Sequence, residues 1–231
     1  MGFFLTGTYR KHIVELDLGA DYELVSETIK KLGYVRIITA VIISTMNFVW
    51  INTMLNAMLV ELEILVDIFE ELATAGDDLM NEFRIAVQKH RQYFDFVGQV
   101  QHITSPCFLI QYYPTQIILV TVIVLFRYDR GSGFELGYLM HGVLLLLQFW
   151  YICNYVENLE SKCDQIGEII YNRPWYAEQH RRMIRSYLFI IARSQHGLRF
   201  KCGGFFYMSM ESLADLLRMS SSLLAFITSF K

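Results

Sequence analysis

Charge is scarce in this 231-residue chain. Asp, Glu, Lys and Arg make up 19% of it, against about 25% in a soluble domain. Net charge is -3, so there is no basic footprint for nucleic acid. There are four cysteines, Cys107, Cys153, Cys163 and Cys202. No two form a CxxC pair and no histidine stands at zinc-finger spacing from them, which removes a metal module. No Asn-x-Ser/Thr sequon occurs. The start, Met1 to Thr6, lacks the apolar core of a signal peptide. It matches a short myristoylation pattern, read as coincidence. No HExxH or P-loop occurs, and no internal repeat of the transporter kind is visible. Neither an enzyme nor a transporter is indicated, and no cofactor is implied.

What is present is long apolar runs. Residues 37–60, 103–126 and 136–156 contain no Asp, Glu, Lys or Arg. Each can cross a hydrocarbon core, which needs about 20 apolar residues. A fourth apolar stretch, 205–230, is interrupted by Glu211, Asp215 and Arg218. Pairing of Asp215 with Arg218 would lower the cost of burying them. The sequence therefore predicts an all-α, polytopic membrane protein: a polar segment over 1–36, then a transmembrane domain over 37–231 with four helices. Within 1–36, Gly19-Ala20-Asp21 reads as a turn and 25–32 as a short helix.

Polar residues inside the runs are costly against lipid and should face other helices or a cavity. Asn47, Asn52 and Asn56 lie in the first run, with Trp50 placed for a helix contact or a ligand pocket. In the second run, Pro106 and Pro114 should kink the helix or mark its start. In the third, His141, Leu145 and Gln148 share a face at i, i+4 and i+7. In the last, Ser222, Ala225, Phe226 and Ser229 share one, a pattern that suits a helix seam or a water-lined path.

Two further stripes lie outside the runs. Leu62, Leu65, Phe69 and Leu72 continue the first helix past the membrane. Leu79, Phe83, Val87, His90, Phe94 and Val97 lead into the second, after a break at Gly76 and a candidate cap at Asp77. Such stripes need partners. His90 reads as a buried, hydrogen-bonded structural histidine. Pro174, after Asn172, suits a helix start. Segments 61–102 and 157–201 hold 11 Lys and Arg against 7 in 1–36 and 127–135, a weak lean toward the former being cytoplasmic.

The C-terminal third carries a resemblance. Ile169-Ile170-Tyr171-Asn172-Arg173-Pro174-Trp175-Tyr176 resembles the aliphatic-Tyr-x-x-x-Trp-Tyr element of insect odorant receptors. The basic-aliphatic helix over 181–193 is similar to the family's. Gly203-Gly204-Phe205-Phe206 resembles its Ala-Gly-x-Phe turn, and Leu217-Arg218-Met219-Ser220-Ser221-Ser222 its Leu-Lys-x-Ser-x-Ser stretch. Lys89-His90 is similar to a histidine the family carries before its fifth span.

The resemblance implies spans four to seven of a seven-span receptor, truncated at its N-terminus. It implies an odorant-gated, non-selective cation channel in olfactory signal transduction. The partners would be the co-receptor Orco in a hetero-tetramer, a volatile small-molecule odorant and membrane lipid. The place would be the plasma membrane of an olfactory neuron dendrite. It further implies a pocket drawing on Met46, Trp50, Tyr138, His141 and Leu145, and a pore lined by Ser222, Phe226 and Ser229. The alternatives are a gustatory-type receptor of the same superfamily, which favours a Thr-Tyr-x-x-x-x-x-Gln-Phe ending absent here, or a non-functional receptor fragment.

Overall fold

A computed structural model describes residues 19–74, 79–128, 135–172, 181–195 and 198–229. Five helices and a short hairpin follow in order: α1 (Gly19–Thr74), α2 (Leu79–Tyr128), α3 (Glu135–Tyr171), α4 (Arg181–Gln195), β1 (Lys201–Cys202), β2 (Phe206–Tyr207) and α5 (Met210–Ser229). Residues 1–43 and 44–231 form two separate compact units.

In the first unit, α1 already begins at Gly19. No turn stands at Gly19–Asp21 and no separate short helix at 25–32, as the sequence suggested. The physical reason is propagation. Glu, Leu, Ile and Lys between residues 23 and 32 are good helix formers, and a helix that continues for tens of residues absorbs one weak position.

The second unit holds the core. Helices α1, α2 and α3 have 56, 50 and 37 residues. At 1.5 Å per residue α2 and α3 are about 75 and 55 Å long, well beyond the roughly 30 Å of hydrocarbon they have to cross. All three are long and apolar enough to span a membrane. Their surface changes along their length. At the level of the charge-free runs the outward side chains are Met46, Val49, Ile110, Ile117, Leu136, Met140, Val143 and Leu147, all exposed. Beyond the runs charged side chains enter the outward positions, Glu61, Glu63, Asp67, Glu70, Arg84, Lys89 and Arg91 among them, beside exposed Ile64 and Ile85. The interior is mostly apolar at both levels, so this outward contrast marks where lipid ends and water begins.

The watery portion has its own core. Leu62, Leu65, Phe69 and Leu72 of α1 are buried, with Phe83, His90 and Val97 of α2. Cys163, Ile166 and Ile170 of α3 and Tyr187, Ile190 and Ile191 of α4 complete it. The stripes predicted for α1 and α2 thus find their partners, on α3 and on α4. Phe83 lies against Tyr187 at 4.3 Å between ring centroids. Lys162 and Glu63 pair at the surface between α3 and α1, and Gly167 of α3 lets α4 approach closely at Ser194. Gly76, Asp77 and Pro174–Tyr176 lie outside the described residues.

Two more expectations shift. Pro106 and Pro114 sit inside α2 and do not mark a helix start, which leaves the kink alternative of that expectation. The stretch expected as the fourth span, 205–230, opens with a hairpin in place of helix. Lys201 pairs with Tyr207 and Cys202 with Phe206, antiparallel. Gly203 and Gly204 make the turn at φ 57° and 83°, the positive values that two adjacent glycines adopt without a steric penalty. Helix α5 then starts at Met210, where Ser209 and Ser212 bond reciprocally, Ser212 N to Ser209 Oγ at 3.3 Å and Ser209 N to Ser212 Oγ at 3.1 Å. That is the pattern of an N-terminal cap. Glu157 of α3 accepts the Met210 N–H at 2.8 Å, tying the cap to the bundle.

Candidate functional site

Buried polar side chains at membrane depth are the feature that packing alone does not require. Asn47 of α1 donates to the Cys107 carbonyl (3.2 Å) and to Gln111 Oε1 (3.3 Å) of α2. Gln111 in turn donates to Gln148 Oε1 of α3 at 2.9 Å. Ser44 Oγ lies 3.5 Å from His141 Nε2. A polar thread therefore crosses three helices inside the apolar band. Gln111, Gln148 and His141 are buried. An unpaired amide there would cost several kcal/mol, about the price of an unmade hydrogen bond in hydrocarbon; the thread removes most of that cost.

A second polar set lies nearer the watery end. Tyr155 donates to Asn56 Oδ1 at 2.6 Å, and Asn56 donates to the Asn52 carbonyl at 2.9 Å. Asn52 Oδ1 is buried without a partner. Asn47 thus turns inward as its cost in lipid predicts, Asn56 is exposed but reaches Tyr155, and Asn52 makes no such bond.

Of the pocket residues read from the sequence, His141 and Leu145 are buried together on one face of α3. Tyr138 is half-buried one turn away. Met46 is 69% exposed and Trp50 36%. The chain itself therefore brings together His141 and Leu145 with the Asn47–Gln111–Gln148 thread, and leaves Met46 and Trp50 on its outer surface. Gln111, the hub of the thread, appears in the sequence only as one polar residue among several in the second run. Its signal was a glutamine in a charge-free segment; which neighbours it meets depends on helix packing.

Helix α5 packs by one side. Ser212, Leu216 and Ser220 are buried against α2 and α3, and Tyr112 of α2 approaches Met219 Sδ at 3.7 Å. Ser222 is exposed and Phe226 is 60% exposed. The Ser229 side chain lies outside the described residues. The Asp215–Arg218 pair forms at 3.1 Å with both side chains exposed.

His90, in the watery core, is buried but not hydrogen-bonded through Nε2. It stacks instead between Phe69 (6.1 Å, edge-on) and Phe94 (4.7 Å). Burial, with the Arg193 guanidinium adding to it, lowers its pKa to about 4. Burial pushes the nearby Cys163 thiol up to about 12. Both groups are therefore neutral at pH 7. Among the described residues no three His, Cys, Asp or Glu converge to hold a metal.

The profile of the family described as 7tm Odorant receptor matches residues 30–221. The chain is also 29% identical over 84 residues to a protein of Drosophila melanogaster described as putative odorant receptor 85d. That alignment takes in 36% of this chain and 20% of the relative, so the matched part is about a fifth of the relative's length.

Proposed function

Because the chain belongs to the 7tm odorant receptor family, we propose that it acts as a subunit of an odorant-gated, non-selective cation channel, partnered by Orco in the plasma membrane of an olfactory neuron. The observation that carries this reading is how α5 is held. One side is fixed to α2 and α3 through Ser212, Leu216 and Ser220, while Ser222 and Phe226 stand on the open side. A helix buried along one face and exposed along the other is suited to line a path shared between subunits. In this proposal Ser222, Phe226 and Ser229 line it.

The odorant site is assigned to the half of the bundle around His141. Odorants are small and apolar, so the chemistry required is an apolar wall with few polar anchors. Leu145 supplies wall, Tyr138 an aromatic edge, and His141 a polar anchor held by Ser44. Met46 and Trp50 are assigned to the side of the pocket that a further helix would close. The watery core of α1 to α4 becomes the cytoplasmic anchor, in line with the excess of Lys and Arg on that side.

The test is expression with Orco and recording of odorant-evoked current across a panel of volatile ligands. Ligand-evoked, cation-carrying current is expected. Surface-expressed protein that gives no current with any ligand, beside a working control receptor, would overturn the channel reading.

A further inference from the structure

A groove of about 1280 Å³ runs beside the hairpin, between α2 and α4, and crosses the end of the apolar band. Its level follows from α2. Gln101, just outside the charge-free run, donates to the Arg199 carbonyl at 2.7 Å. Gly203 N donates to Ser105 Oγ at 2.9 Å, inside the run. The hairpin therefore descends along α2 from water into hydrocarbon. The upper wall carries Arg193, Arg199 and Lys201; the lower wall carries Pro106 and Leu109, about 8 and 12 Å beyond Gln101 along α2 by helix rise.

The three cations share an unusual arrangement. Arg193 sits 4.8 Å over the Phe94 ring, and Arg199 and Lys201 sit 5.8 and 5.9 Å from the Tyr207 ring. Among the described residues none of the three is in a salt bridge. Glu160 is near enough to feel the charge of Arg199 but does not line the groove, and no lining residue is acidic. Aromatic faces hold the cations in place without neutralising them.

We propose that this groove binds an anionic phospholipid of the cytoplasmic leaflet, its phosphate among Arg193, Arg199 and Lys201 and an acyl chain along Pro106 and Leu109. The inference rests on the proposed cytoplasmic placement of residues 61–102 and 157–201, because anionic lipid is concentrated in that leaflet. Charge complementarity selects the occupant. A purely apolar protein segment would leave three cations unpaired, whereas a lipid phosphate meets them at the depth where headgroups lie.

The purified chain in detergent is offered dioleoylphosphatidylserine or dioleoylphosphatidylcholine at equal mole fraction. Retained lipid is read by native mass spectrometry after gel filtration. Each surface cation contributes about fivefold to anionic-lipid partition, so wild type should prefer phosphatidylserine and the Arg199→Gln/Lys201→Gln pair should lose about 25-fold of that preference. The charge-preserving Arg199→Lys/Lys201→Arg pair should retain it, which separates loss of charge from loss of fold. Arg84→Gln, exposed and outside the groove, should leave it intact. Equal retention of the two lipids by wild type would overturn the proposal. So would a Gln pair that keeps the preference, or one whose sole effect is to dissociate an oligomer, which would make the groove a subunit seam. Lipid retention in detergent needs neither an odorant response nor a membrane orientation, so its failure leaves the channel reading standing, and absence of odorant current leaves this one standing.

Discussion

Gly203 shows how a single residue fixes the join between anchor and α5. Its φ of +57° lies in the left-handed region, and an added Cβ would stand 2.0 Å from Leu109 Cδ1. Gly203→Ala should therefore cost about 1–3 kcal/mol, from backbone strain and a crowded contact together. Thermal melting of the two purified proteins checks it; an unchanged midpoint would mean the hairpin moves freely off α2. His90 gives a pH signature at the same scale. Its folded pKa of about 4 lies below the ordinary 6.5. As pH falls, the unfolded chain takes up the proton first, so the contribution is complete above about pH 6.5 and is lost on descending toward pH 4. Between pH 7.5 and 5.5 the loss is about 1.3 kcal/mol. His90→Leu should flatten that part of the stability-versus-pH curve; equal slopes for the two proteins would place the ring in a wetter site. The sequence put His90 on a buried stripe correctly. It did not show that Phe69 and Phe94 flank the ring where a hydrogen-bond partner was expected, because those rings come from two helices.

At the scale of elements, periodicity was a good guide wherever one face is buried. The stripes Leu62 to Leu72 and Phe83 to Val97 became inner faces of α1 and α2. It was a poor guide to ends. The hairpin over 201–207 is too short for any period, and its one local signal was the Gly203-Gly204 pair. Helix α5 combines both lessons: its helical run was legible, its first turn was not. Among its residues Phe226 carries the sharpest expectation. In cells expressing the receptor with Orco, Phe226→Ala should shift the reversal potential between Na⁺ and Ca²⁺ solutions or raise basal leak. Wild-type values for both would remove Phe226 from the pore.

At the scale of the whole molecule, the polar thread from Asn47 through Gln111 to Gln148 joins three helices that lie far apart in sequence. It stands beside the His141 and Leu145 face proposed for odorant contact. Tyr138, half-buried at the rim of that face, tests the placement. Tyr138→Ala should change odorant potency several-fold, by loss of an aromatic contact worth about 0.5–1.5 kcal/mol, with little change in surface expression. Matched dose-response curves would take Tyr138 out of the pocket.

Charge-free runs of more than 20 residues determined by themselves that this chain crosses a membrane as helices, since hydrocarbon leaves the backbone no other partner than itself. Stripe periodicity determined that helices continue into water and which side of each is buried. Three things were decided only by tertiary structure: which polar groups satisfy one another at depth, that α4 closes the watery core, and that the hairpin lays Arg199 and Lys201 beside α2. Each depends on residues from different helices meeting at one level, and spacing along a single chain segment carries no information about the level of another.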